Sequence, residues 1–317
     1  MVPLPVVLRA RGFRLYTQGG GRLVDLWQAG GRAVLGHNPA GVLRDLKNYA
    51  NRGLFAPLPH SLERRLAKGL ARLLPGRVFR FYPDQPSLCS ALGTAGFSRG
   101  PFPDPAFIGA KPEPAENSFP GPSRTGPVPA AKPAARRGPE LWRPFLEDAV
   151  NPPDFRTLPI LVPLLPWPLA PWVLALDPAL ESRFPPPAPI PPVLLAAAAR
   201  ALYDLIAAGP QGGRPVYPRI NQAVYRNSPG AAKPWRRRGI YLICHPLQSQ
   251  AGGGDPSPVL PAPAESPGWE SLFLRFLEGG FLIPPDPGEP LILPVVLSPG
   301  EEAKLAALLR ETGGHSP

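Results

Sequence analysis

The stretch RGFRLYTQGGGRLVDLWQAGGRAVLGHNP, residues 11–39, sets the reading of this chain. Apolar and polar residues alternate in GFRLYT and again in RLVDLWQA, with the two-residue period of a half-buried strand. Gly19-Gly20-Gly21 separates these runs and supplies a turn. Gly30-Gly31 then breaks the second run before RAVLG, so residues 12–35 are expected to form a β-meander. Pro39 ends it, and a short helix is expected over 40–52.

Downstream, SLERRLAKGLARLL (61–74) places Leu62, Leu66, Leu70, Leu73 and Leu74 on one helical face, with Ser61 as the expected N-cap. RVFRFY (77–82) reads as a strand and 87–95 as the helix behind it. Eleven prolines fall between Pro101 and Pro139 without hydrophobic periodicity, so a loop or disordered stretch is expected there. Residues 141–185 return to apolar runs cut by proline, which reads as short buried strands of a mostly parallel sheet. PPVLLAAAARALYDLIAA (191–208) is the clearest helix, with Pro192 in its first turn and Gly209 as its stop. Further helices are expected at 217–226 and 266–278, and strands in GIYLIC (239–244), FLIPP and LILPVVL. Ser298, Pro299 and Glu301 have the spacing of a capping box that opens the final helix.

Composition narrows the function classes. The 52 prolines each fix φ and remove a backbone donor, which excludes a long all-helical architecture. The net charge of +11 comes with only six lysines among 34 basic residues, and reads as a bias toward Ala, Gly, Pro and Arg. The clusters Arg64-Arg65, Arg136-Arg137 and Arg236-Arg237-Arg238 lie far apart and lack an RNA-binding aromatic signature. Nucleic acid is therefore not the expected partner, though a basic scaffold for anionic partners is a weaker alternative. Cys89 and Cys244 imply neither a disulfide framework nor a metal site. MVPLPVVLRARGF has neither a basic region ahead of its apolar run nor a cleavage site. A cytoplasmic protein is the expectation. Residues 158–176 are almost wholly apolar, but five prolines would break a membrane helix, so buried strands and turns are expected instead.

The order of these elements resembles a class III pyridoxal-phosphate (PLP) aminotransferase of fold type I. Gly12, Tyr16, Gly21, Asp25, Gly36, His37 and Pro39 stand where that family's opening motif has its scaffold residues. Phe184 through Ile206 is similar to the stretch leading into its inter-domain helix, and WRRRGIYL and FLIPP to LILPVVLSPGEEAKLAALL resemble its carboxy-terminal small domain. The resemblance covers roughly 1–95 and 184–312. It implies an α/β fold with a reduced large domain (53–190, carrying the Pro-rich loop 101–139) and a small α+β domain built from both ends (1–52 and 191–317). It also implies a homodimer, or a heterodimer with a related subunit.

The family's chemistry is not matched. Its cofactor phosphate rests on a Ser-Gly-Ser/Thr turn opening a helix, where free N–H groups and the helix dipole hold a dianion. The equivalent here is Pro83-Asp84-Gln85-Pro86, followed by Ser87. Two prolines donate nothing, and Asp84 brings negative charge. Lys47, Lys68, Lys111, Lys132, Lys233 and Lys304 do not lie in a Lys-Gly-Leu-Gly-Gly-like turn ahead of a strand, where the Schiff-base lysine belongs. The acid that pairs with the pyridine nitrogen has one weak candidate, Asp177, which also reads as an N-cap. His37, His60, His245 and His315 are scattered, and no metal or Ser-His-Asp pattern has workable spacing. The reading is an aminotransferase-like protein expected to be catalytically inactive and to need no cofactor. A working PLP transaminase with a non-standard lysine is the alternative.

Overall fold

Residues 4–107, 138–146, 155, 157–209, 216–225, 235–244 and 267–313 are described by the structure, a computed structural model. Lys111, Lys132, Lys233, His245, His315, Arg136-Arg137 and most of the Pro-rich stretch lie outside them.

The opening segment forms β1 (Val7–Arg11), β2 (Arg14–Thr17) and β3 (Arg22–Asp25), paired antiparallel in that order. The meander therefore includes a strand ahead of residue 12, and RAVLG is not its third member. The neighbour of β3 is instead β10 (Phe281–Leu282), which pairs parallel from the far end of the chain. RAVLG is diverted because residues Gln28–Gly31, α1, make one helical turn at positive φ, and Ala33 N then bonds Gln28 O at 2.9 Å. Ala33 and Val34 are buried at 0% and 1% exposure within turns.

α2 (Ala40–Ala50) and α3 (Leu62–Leu73) pack on α5 (Pro192–Ala208). Leu62, Leu66 and Leu70 bury the α3 face as their spacing predicts. Gly69 lets α3 approach closely: a Cβ there would lie 2.7 Å from a methyl of Leu202. Ser61 holds the N-cap position but its hydroxyl makes no capping bond; His60 Nδ1 accepts from Leu62 N at 3.1 Å instead. Gly209 stops α5 at φ +58°, a conformation open to glycine at little cost.

A second sheet has β4 (Val78–Tyr82), β5 (Glu140–Trp142), β6 (Ile160–Pro163) and β7 (Trp172–Leu176), in the order β4-β7-β6-β5. It is not mostly parallel. β7 runs antiparallel to both β4 and β6, and only β5 and β6 pair parallel. The continuous apolar runs came from burial on both faces, which a reversed inner strand shares. α4 (Gln85–Thr94) covers one face and α3 and α5 the other. A 3-10 turn, Pro178–Arg183, follows β7.

β8 (Trp235–Arg238) and β9 (Tyr241–Cys244) form a hairpin extended by β11 (Leu291–Ile292). FLIPP and LILPVVL each yield only a two-residue strand, because their prolines cannot donate to a ladder. Around them lie α6 (Pro218–Tyr225), α7 (Pro267–Glu278) and α8 (Pro299–Gly313). The Ser298–Glu301 box closes in both directions, Ser298 N to Glu301 at 2.8 Å and Glu301 N to Ser298 Oγ at 3.2 Å. One core joins Leu15, Leu23 and Leu26 to Phe273, Phe276, Leu305 and Leu309, so both chain ends build one unit. No described helix is long and apolar enough to cross a membrane.

Candidate functional site

β4, β5 and β6 share a direction, so Tyr82, Trp142 and Pro163 end on one edge of the sheet, beside Trp172 at the start of β7. Ligands of open α/β sheets bind outside such carboxyl ends. The segment 25–37 lies over this edge. Asp25 is 1% exposed; its Oδ1 accepts from Trp27 N at 2.8 Å and Gln28 N at 2.9 Å, and its Oδ2 bonds His37 Nε2 at 2.6 Å. These bonds bend the chain into α1, where Gln28 and Ala29 stand at φ +50° and +51°. A non-glycine residue held there costs about 1–3 kcal/mol. Gly31, at φ +102°, is required sterically, since a Cβ would sit 2.7 Å from Arg143 Nη1.

Arg143 is the centre of a buried polar knot. It is 4% exposed, and its Nε and Nη2 donate to Asp104 at 2.8 and 2.6 Å. Nη1 donates to Gly30 O at 2.8 Å, and the guanidinium lies 5.4 Å from the Tyr241 ring centre. Tyr241 donates to Pro144 O at 2.7 Å, and burial raises its phenol well above the ordinary range. Glu289 accepts from Trp27 Nε1 at 2.5 Å. Burial pushes its carboxyl up, while Trp27 and the Arg143 charge pull in the other direction. Gln28 Nε2 donates to Ile292 O at 3.0 Å, and Gln28 Oε1 is buried with no partner among the described residues. Arg32 reaches Ala170 O and lies 4.9 Å from the Trp172 ring centre. None of Asp104, Arg143, Tyr241, Glu289 or Arg32 was singled out by the sequence. The Gly30-Gly31 pair was the one signal that a backbone must pass close to something there.

The fold as a whole is similar to solved structures. The ornithine δ-aminotransferase of Plasmodium falciparum is 12% identical, with a TM-score of 0.59 over 98% of this chain and 94% of that one. An omega-transaminase from Sphaerobacter thermophilus is 13% identical, at 0.61 over 97% and 90%. The acetylornithine aminotransferase of Elizabethkingia anophelis is 15% identical, at 0.60 over 99% and 95%. The fold is that of the PLP-dependent aminotransferases. No protein-family profile matches the chain. Uncharacterised proteins of Treponema pallidum and Borreliella burgdorferi are 42% identical over 76 residues and 46% over 56. These matches span about a quarter of each relative, 25% and 21%, and 24% and 18% of this chain.

An aminotransferase-like fold raises the question of whether these residues suit its cofactor. At the head of α4, Asp84 Oδ1 accepts from Ser87 N at 2.8 Å, Pro86 has no N–H, and Leu88 N bonds Asp84 O at 3.3 Å. Gln85 N is the one first-turn donor left, and the neighbouring charge is a carboxylate. The bonds from Ser87 hold the exposed Asp84 carboxyl below its ordinary range, so it is ionised at neutral pH. The turn ahead of β7, LLPWPLAP (164–171), has no lysine; Leu164, Leu165, Trp167 and Ala170 fill it, each 7% exposed or less. Lys47, Lys68 and Lys304, the described lysines, are exposed on α2, α3 and α8. The donor set does not fit a phosphate dianion, nor does this turn offer an amine to an aldehyde.

Asp84, Gln85 and Ser87 are together by sequence, but Asp177 is not with them. The β4–β7 register runs from Val78 opposite Leu176 to Tyr82 opposite Trp172. Asp177 therefore lies at the other end of the sheet, about 20 Å from Asp84 at about 3.3 Å per residue. There its Oδ1 caps the 3-10 turn, accepting from Ala179 N at 2.9 Å. A cleft bounded by 83–87 and Asp177 is thus not formed. Among the described residues no cluster of His, Cys, Asp and Glu could hold a metal.

Proposed function

We propose that this chain is a class III aminotransferase-like protein without transaminase activity, kept as a scaffold that associates with itself or with a related subunit in the cytoplasm. The observation that carries the reading is the head of α4, where Asp84 takes the N–H that an anion would need and Pro86 supplies none. The lysine-free turn at 164–171 supports it independently. Self-association is supported by apolar side chains left open: Val6 and Leu8 at 61% and 70% exposure, and Phe55 and Leu58 at 60% and 58%. Isolated exposed apolar residues are ordinary, but neighbouring ones favour burial against another chain.

The test is a half-reaction. Purified protein incubated with PLP and an amino donor should form no pyridoxamine phosphate above a protein-free control, and should sediment as a dimer or co-purify with a related subunit. Turnover of the coenzyme would establish the alternative, a functional PLP-dependent transaminase with a non-standard lysine. A monomer across the micromolar range would remove the scaffold half of the proposal.

A further inference from the structure

Arg32 differs from the other guanidinium on the carboxyl edge. Arg143 is met by Asp104 through several N–H contacts. Arg32 is partly buried, yet its contacts are the carbonyl of Ala170, through Nη2, and the face of Trp172. Among the described residues no carboxylate pairs with it, and burial alone pulls its pKa down to about 10. A guanidinium carries five N–H donors, and among the described residues Nε and Nη1 have no acceptor. Withdrawing a cation from water without a counter-charge is costly, and proteins ordinarily avoid it or use it.

Two neighbouring features point the same way. Tyr82, the cross-strand partner of Trp172, is 3% exposed and its hydroxyl has no hydrogen-bond partner among the described residues. The chain leading into Arg32 is the strained turn at Gln28 and Ala29, and such outliers concentrate at ligand sites. Uncompensated charge, unsatisfied hydroxyl and strained backbone thus occur together at the sheet edge where α/β proteins bind ligands.

We propose that Arg32, backed by Trp172, binds a small oxyanion, a carboxylate or inorganic phosphate, at the carboxyl edge of the sheet. The planar fork of the guanidinium suits a bidentate oxyanion, and stacking on the indole orients it without neutralising it. Binding at Arg32 needs no transaminase chemistry, so it holds whether or not the chain turns over PLP.

The probe is trifluoroacetate, followed by fluorine NMR line width on the full chain. Wild type should broaden the signal, and acetate or inorganic phosphate should each be tried as competitor to tell a carboxylate site from a phosphate site. Arg32→Gln should weaken binding at least tenfold, and Arg32→Lys should fall between. Arg9→Gln, which removes the same charge from an arginine lying over Tyr16 on the first strand, should leave binding unchanged. Equal loss in Arg9→Gln and Arg32→Gln would mean only a diffuse ion atmosphere and would overturn the proposal, as would undiminished binding by Arg32→Gln. Should that variant not fold, phenylglyoxal modification of the wild type gives the same answer. Acetate or phosphate should slow the labelling of Arg32 several-fold without affecting Arg9, and no protection of Arg32 would refute the site.

Discussion

Replacing Asp104 by Asn tests whether the edge of the sheet is held shut by its own charges. Arg143 is 4% exposed and takes N–H contacts of 2.6 to 2.8 Å to Asp104, whose side chain is 10% exposed. Asn keeps the shape and one acceptor but removes the counter-charge. Removing one partner of a buried pair costs roughly 3–5 kcal/mol. The bond from Nη1 to Gly30 O and the Tyr241 ring remain, which places the loss near the lower limit, about 3 kcal/mol. In urea unfolding with a slope of about 3 kcal/mol/M, the midpoint should fall by about 1 M. Replacing both partners by leucine should recover most of that loss, because the residual cost in Asp104→Asn is an unpaired buried charge, which the double variant lacks. A change below about 1 kcal/mol in Asp104→Asn, or no coupling in the double variant, would refute the account of the knot.

Other substitutions bear on the same architecture. Gly31→Ala should cost about 2 kcal/mol or more, because it adds both a left-handed strain and a Cβ 2.7 Å from Arg143, whereas Gly19→Ala, with open space around it, should stay within about 0.5 kcal/mol in the same melt. Burial alone would raise the Glu301 carboxyl, but Arg14 and the bonds from Ser298 hold it at about 2, against 4.5 unfolded. Its stabilisation, about 1–2 kcal/mol after solvent screening, is therefore full above pH 4.5 and lost as pH falls toward 2, and Glu301→Gln should abolish that part of the acid-unfolding curve. Glu289 has the opposite sign: its folded pKa lies above the unfolded value, so its burial costs stability as pH rises through that interval. Trp27→Phe removes a donor 2.5 Å away and should destabilise by about 1–2 kcal/mol, more at neutral pH than at pH 4.

The elements with strong local signals were legible in the sequence. Leucine spacing gave α3, the alanine-rich run between Pro192 and Gly209 gave α5, and the Ser298–Glu301 spacing gave the start of α8. What failed was set by distant partners. RAVLG has the composition of a strand, but β10, more than 240 residues later, takes the place beside β3. The direction of β7 cannot be read from WVLAL, since a strand buried on both faces looks the same either way round. The same reversal carries Asp177 away from Asp84. Asp104 and Arg143 sit at the margins of a proline-rich stretch with no periodicity, and only the fold brings them together beneath Gly31. The altered turn at 83–87, by contrast, was visible directly, because a missing N–H is a property of proline itself.

The most direct measurement is borohydride reduction of the purified chain with one equivalent of PLP, followed by peptide mass spectrometry. With Asp84 accepting from Ser87 N at the head of α4 and no lysine in the turn before β7, the protein should show only sparse labelling scattered over exposed lysines such as Lys47, Lys68 and Lys304. Stoichiometric capture on one lysine would contradict the account.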